Sequence, residues 1–261
     1  TRFANLVVGE GDGQLTRLRS LSADKLNRPY RENRHLARYF YPCVDGEILP
    51  EAPMAAFTND RQAPVPLMIG YNADEGTLIA EFLHPAGAEF EPVDVDADGL
   101  RAVLHRSYGS AERVERLVAA YPGLLDRDRN AVLAHRGDHM FGVHVDHAAR
   151  CHVAAGHPTY RYHYRSVPKS PTQTAGAFHS AEVLNVFGTR LPLVPSPKGT
   201  GELDAHMGDR WVGFARTGKP NHAGREVWPA YDPANPRHMV FDRPTSSPQA
   251  CPSQPGLDVM R

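Results

Sequence analysis

Asp74, Glu75 and His179 are the residues whose types and settings best suit proton transfer. The two acids lie in Gly70-Tyr71-Asn72-Ala73-Asp74-Glu75-Gly76, directly after the apolar run Leu67-Met68-Ile69. His179 lies in Gly176-Ala177-Phe178-His179-Ser180-Ala181-Glu182, after a polar loop that follows Tyr160, Tyr162 and Tyr164. An imidazole titrates near neutrality and serves as a general base, and a carboxylate beside it holds one tautomer and stabilises the cation. Asp74 and Glu75 also fit a plainer role, as acids that a helix N-terminus favours. That stretch alone leaves both roles open.

Other constellations are weaker. Gly9-Glu10-Gly11-Asp12-Gly13 follows Asn5-Leu6-Val7-Val8 and imitates a strand running into a glycine turn. It lacks the phosphate-loop spacing, and Asp12 has Glu10 and Gln14 where a nucleophile elbow needs glycines. Asp94-Val95-Asp96-Ala97-Asp98-Gly99 matches the first half of a calcium loop, but the twelfth position is His105 rather than a bidentate Glu. A solvated turn with Asp98 capping a helix over 99–108 fits better. His135 and His139 share a helical face in a stretch that also holds His144 and His147, yet no Glu lies between them as H-E-x-x-H requires. They are read as structural, as is His206, and no metal ligand is assigned.

The elements that must position Glu75 and His179 follow from periodicity. Pro66 and Gly70 bound a short apolar run, which predicts a buried strand of an α/β sheet, with a helix starting near Thr77. Tyr160, Tyr162 and Tyr164 alternate as in a second strand, and Met239-Val240-Phe241 predict a third. Each acid or base thus sits in a loop beyond a strand end, where α/β folds place ligands. Helices are predicted after Ser22, on either side of a break at Gly109-Ser110, over 129–156, and over 201–217 with Gly218 as the C-terminal cap. Asp45-Gly46 predicts a hairpin turn, with Cys43 as a small buried apolar residue.

Composition narrows the class. The chain has 261 residues, of which 41% are hydrophobic and 23% charged, as in a globular protein. A formal net charge of -1 gives no footprint for nucleic acid or an anionic membrane. No apolar run approaches the ~18 residues of a membrane span. Cys43, Cys151 and Cys251 are too far apart for a CxxC zinc or redox motif, and they leave the compartment open, cytoplasmic or secreted. No cofactor is called for.

Taken together, these stretches resemble the type B carboxylesterases, the family of cholinesterases and para-nitrobenzyl esterases. The Gly70–Gly76 segment resembles that family's acid loop. Gly176–Glu182 with Val186-Phe187-Gly188 resembles its histidine loop. Leu18-Arg19-Ser20 with Leu26, Val44-Asp45-Gly46, the segment from Trp211 to Asn221, and Trp228-Pro229-Ala230-Tyr231 follow it in order. The resemblance runs from Leu18 to Phe241. It implies an α/β-hydrolase fold and acyl transfer on a small-molecule ester, with Glu75 as the acid, Asp74 its rival, and His179 as the base. Glu182 would be structural, close enough to tune His179. The family's G-E-S-x-G elbow and oxyanion loop have no counterpart in these residues.

The expected organisation is therefore residues 1–243 as the C-terminal part of a carboxylesterase domain, whose N-terminal half is absent. Residues 244–261 follow as a poorly ordered Pro/Ser-rich tail. The partner implied is that missing half. Two other classes stay open: a catalytically dead relative acting as a binding or adhesion module, and a lactonase-like hydrolase with a metal on His135 and His139.

Overall fold

The computed structural model of the chain describes residues 2–32, 42–78, 96–167, 174–190, 200–242 and 245–261. They belong to two compact units, one within Thr1–Ala52 and one from Pro53 onward.

In the first unit, α1 (Arg2–Val8), α2 (Gln14–Arg19) and α3 (Ala23–Glu32) follow in sequence. Asn5–Val8, expected as a strand, is helical. A strand there would need a neighbour to pair with, whereas a helix satisfies its backbone internally. Ser22 caps α3 as expected, its Oγ accepting from the Lys25 amide at 3.3 Å. The predicted hairpin at Asp45-Gly46 does not form. Asp45 Oδ1 instead accepts from the Glu47 and Leu49 amides at 3.0 and 2.8 Å, an Asx turn that replaces strand pairing. Cys43 is exposed there, not buried.

The second unit holds the sheet. Its strands are β1 (Leu67–Asn72), β2 (Thr159–Tyr164), β3 (Arg237–Asp242) and β4 (Thr245–Ala250), in that spatial order. β1 pairs parallel with β2, and β2 parallel with β3, while β4 returns antiparallel. The first three are the strands that apolar and aromatic periodicity predicts.

Helices occupy the intervals. α4 (Pro53–Thr58) precedes β1, and α5 (Glu75–Leu78) follows it. The continuation of α5 expected to Leu83 lies outside the described residues. Between β1 and β2 come α6 (Ala97–Tyr108), α7 (Ala111–Ala120), α8 (Arg129–Gly137) and α9 (Val143–Ala154). The break at Gly109 is as predicted, with Ser110 Oγ capping α7 through the Arg113 amide. α6 starts earlier than expected, because Asp96 rather than Asp98 accepts from the Gly99 amide. Asp96 is thus a cap, and Asp94 lies outside the described residues. A π-helical turn, Asp138–Gly142, joins α8 to α9. After β2 come α10 (Ala181–Val186) and α11 (Thr200–Thr217), the latter stopped by Gly218 in the left-handed region at φ 71°.

One face of the sheet carries Tyr160, Tyr164, Met239 and Phe241, packed with Ala177, Ala181, Leu203, Met207 and Trp228. The opposite face is more polar. Arg161 is buried there and donates to Asp146 Oδ1 at 2.7 Å, while Arg150 donates to Asp146 Oδ2 at 2.7 Å. Such buried ions persist only when paired this closely.

The C-terminal segment is not the poorly ordered tail that its composition suggests. Residues 245–250 form β4, and Gln254–Met260 form α12. Val259 joins a core with Leu104, Val114, Leu117 and Tyr121, and Leu257 is fully buried. Pro and Ser count as loop signals, but the apolar pair two residues apart anchors the segment. Among the described residues, no helix is long and apolar enough to cross a membrane.

Candidate active site

β1 and β2 end at the same level, because Asn72 and Tyr164 are register partners in a parallel pair. The loops that follow them are therefore neighbours. Ala73 donates its amide to the Tyr164 carbonyl at 2.9 Å. Asp74 then pairs with the histidine loop, its amide donating to the Ala177 carbonyl at 3.1 Å. Asp74 Oδ2 accepts from the Ala177 amide at 2.7 Å. Thr77 Oγ1 lies 2.8 and 2.7 Å from the Asp74 and Ala175 carbonyls, so its one hydrogen is shared between the two loops. Gly176 has φ 69° and lies against the Asp74 carboxylate, where a Cβ would collide.

This stitching brings Glu75 and His179 together across 104 residues, with His179 Nδ1 and Glu75 Oε2 at 2.7 Å. Glu75 opens α5, and its Oε1 accepts from the Asn72 amide at 2.9 Å. Burial pushes its carboxyl pKa up, against the pull of the Asn72 amide and His179, and the charge of Glu182 adds to the rise. The His179 side chain is 36% exposed while that of Glu75 is 6% exposed. The ring is thus reachable from solvent, and its carboxylate partner is not. Among the described residues, no group hydrogen-bonds Nε2. Ser180, after the histidine, is held at φ 67°, and this kink starts α10.

Sequence reasoning missed two contributors. Phe141, in the π-helical turn, lies against His179 with ring centroids 5.0 Å apart. π-turns recur at functional sites because they re-aim one side chain without ending a helix. Periodicity gives no sign of one. Asn72 stood inside the acid-loop motif with no role assigned. Its Nδ2 donates to the Phe178 carbonyl at 2.8 Å and to Glu182 Oε2 at 2.5 Å.

The remaining candidates lie elsewhere in the fold. Asp74 faces Ala177 rather than His179. His135 and His139 stack with centroids 6.1 Å apart and share the Tyr108 hydroxyl at 3.1 and 2.7 Å. Burial, then the neighbouring His139, pushes the His135 pKa down to about 4. Among the described residues, no three His, Cys, Asp or Glu side chains group as metal ligands would. His206 is buried and meets Ser246 Oγ at 3.2 Å.

Comparison with known proteins agrees with this architecture. A family model described as the carboxylesterase family matches residues 5–255. The liver carboxylesterase of Sus scrofa is 31% identical over 202 residues, which are 72% of this chain and 35% of that protein. Liver carboxylesterase 1 of Mus musculus is 30% identical over 228 residues, 78% of this chain and 40% of that protein. Among solved structures, a PNB esterase superposes with a TM-score of 0.75 at 24% identity, over 100% of this chain and 53% of that one. A carboxylesterase of Geobacillus stearothermophilus gives 0.75 at 23% identity, again over 53% of its chain. The chain therefore has the α/β-hydrolase fold. It spans well under half of the curated relatives it matches and about half of these structures.

Proposed function

The chain belongs to the carboxylesterase family, and from that premise we propose that it supplies the acid and base of a serine esterase. The 2.7 Å contact between His179 Nδ1 and Glu75 Oε2 carries this reading. A buried carboxylate behind a half-exposed imidazole is the arrangement a serine hydrolase needs. His179 Nε2 takes the proton of a serine hydroxyl as its oxygen attacks the ester carbonyl. Glu75 accepts from Nδ1–H throughout, so it holds the tautomer and stabilises the imidazolium. When the tetrahedral intermediate collapses, the C–O bond breaks and Nε2 returns the proton to the leaving alkoxide. Water then repeats the cycle on the acyl-enzyme. The serine and oxyanion donors come from a segment outside these 261 residues, which hold no G-x-S-x-G.

The test is hydrolysis of short p-nitrophenyl esters by the longer protein carrying this chain together with a nucleophile-bearing segment. His179→Ala is expected to lower kcat by several orders of magnitude, about 10⁴-fold. Glu75→Gln should cost less, and Asp74→Asn little, since its remaining oxygen still accepts from Ala177. A larger loss from Asp74→Asn would overturn the acid assignment. Residues 1–261 alone should show no turnover. Turnover by them that vanishes in Ser180→Ala would place the nucleophile inside this chain and refute the division of labour.

A further inference from the structure

Asn72 touches both loops that make the acid–histidine pair, bonding the acid itself on one side and, on the other, Phe178 and Glu182, which bracket the histidine. Its backbone N–H donates to Glu75 Oε1 at 2.9 Å, which leaves Oε2 for His179. Its Nδ2 donates to the carbonyl of Phe178, the residue before His179, and to Glu182, three residues after it. We propose that Asn72 is a positioning residue, a buried bracket that sets the spacing between the Glu75 carboxylate and the His179 ring. The inference rests on the reading of Glu75 and His179 as acid and base.

The chemistry at position 72 is narrowly defined. Both acceptors lie on Nδ2, so the amide orientation follows from the network itself. Two donors are needed from one short side chain. A hydroxyl has one hydrogen and a carboxylate has none. Asn72 is 1% exposed, so water does not compete for these bonds. The bond to Glu182 is charge-assisted and correspondingly strong. It also engages a carboxylate whose charge raises the Glu75 pKa. Asn72 ends β1 opposite Tyr164, so the bracket is anchored in the sheet rather than in either loop. Through it, the strand end holds the acid by backbone and the histidine loop by side chain.

The experiment is ester hydrolysis by the longer protein with Asn72→Asp, Glu182→Ala and the double variant Asn72→Asp/Glu182→Gln. Asn72→Asp keeps the shape and the backbone donor but removes both side-chain donors. It should lower kcat about 10²-fold with KM within about twofold, as a small misplacement of the base does. In the double variant, the new amide at 182 can donate to the new carboxylate at 72. It should recover about tenfold in kcat, which mere loss of packing would not allow. Glu182 is only half-buried, so Glu182→Ala decides the matter if Asn72→Asp does not fold. It should cost about tenfold in kcat, and an unchanged kcat would overturn the bracket. Retained turnover in His179→Ala and Glu75→Gln would overturn the acid–base reading and the bracket with it. Loss there, with full kcat in Asn72→Asp, would overturn the bracket alone.

Discussion

Acidification should unfold this protein through the stacked pair His163 and His238. The two rings face each other across β2 and β3, with centroids 5.2 Å apart and planes 13° apart. His163 is 4% exposed and His238 is 1% exposed. Tyr71 meets His163 edge-on at 4.8 Å, and Arg161 and Arg165 add positive charge nearby. Burial, then these cations, pushes His163 down to about 4, while burial, then His163 itself, pushes His238 down to about 2. Both values lie below the ordinary 6.5, so the fold excludes protons that the unfolded chain binds. Neither ring affects stability above about pH 7, and stability falls as pH drops below 6.5 toward the folded values. At pH 4.5, two units below the unfolded value, the unfolded chain gains roughly 2–3 kcal/mol per histidine, at ~1.36 kcal/mol per pH unit. The pair then removes about 5 kcal/mol, comparable to the whole stability of a small domain. Urea unfolding from pH 7.5 to 4.5 measures this for the wild type and His238→Phe. The substitution shifts stability by some constant through packing, and the pH-dependent difference isolates the titration. His238→Phe should gain roughly 2–3 kcal/mol on the wild type as pH falls from 7.5 to 4.5. A difference that stays flat with pH would mean that His238 titrates as in water, and the stacked, dry arrangement would be refuted.

Glu75→Gln should raise the thermal midpoint at pH 7 while lowering activity. Its folded pKa is raised, chiefly by burial, so its stability contribution is present at acid pH and lost as pH rises. Removing the charge removes that cost, and a lower midpoint from calorimetry would contradict it. Leu257→Ala tests the packing of α12. Leu257 is 0% exposed, so the change should cost about 2–5 kcal/mol in urea unfolding. A cost within ±0.5 kcal/mol, the range for surface substitutions, would mean that the C-terminal segment detaches.

The meeting of Glu75 and His179 was legible because Glu75 stands just beyond an apolar strand and His179 lies in the loop that follows a strand of alternating tyrosines. The order of acid and histidine added a second, independent signal. α7 and α11 were legible from Ser110 and Gly218, whose cap chemistry is local. Misreadings arose where local and tertiary preferences diverge. Asn5–Val8 is β-branched at its end yet helical, and Asp45 satisfies amides that a partner strand would have used. Asp96 outcompeted Asp98 as a cap because helix starts are set by which carboxylate reaches a free amide. β4 and α12 could not be read because what orders them is β3 and the α6–α7 core, not their own composition. The π-turn and the reach of Asn72 are likewise products of packing. No sequence period encodes a side chain that bonds two loops at once.

The sheet explains why an acid and a histidine 104 residues apart meet at all. β1 and β2 are adjacent and parallel, so their C-terminal ends share one edge and the loops after them share one space. Had β2 run antiparallel to β1, its following loop would have emerged at the opposite end of the sheet. Register then sets the fine distance. Side chains advance about 3.3 Å per residue along a parallel strand, and alternate faces. A slip of one residue would turn the buried tyrosine face toward the other layer, which packing forbids. A slip of two would keep the faces but displace one loop by about 6.6 Å, far beyond the 2.7 Å between His179 and Glu75. The Asp74–Ala177 and Ala73–Tyr164 bonds carry this register beyond the strands into the loops. The geometry of the candidate site is thus the geometry of a strand pair, extended by two residues and locked by side chains.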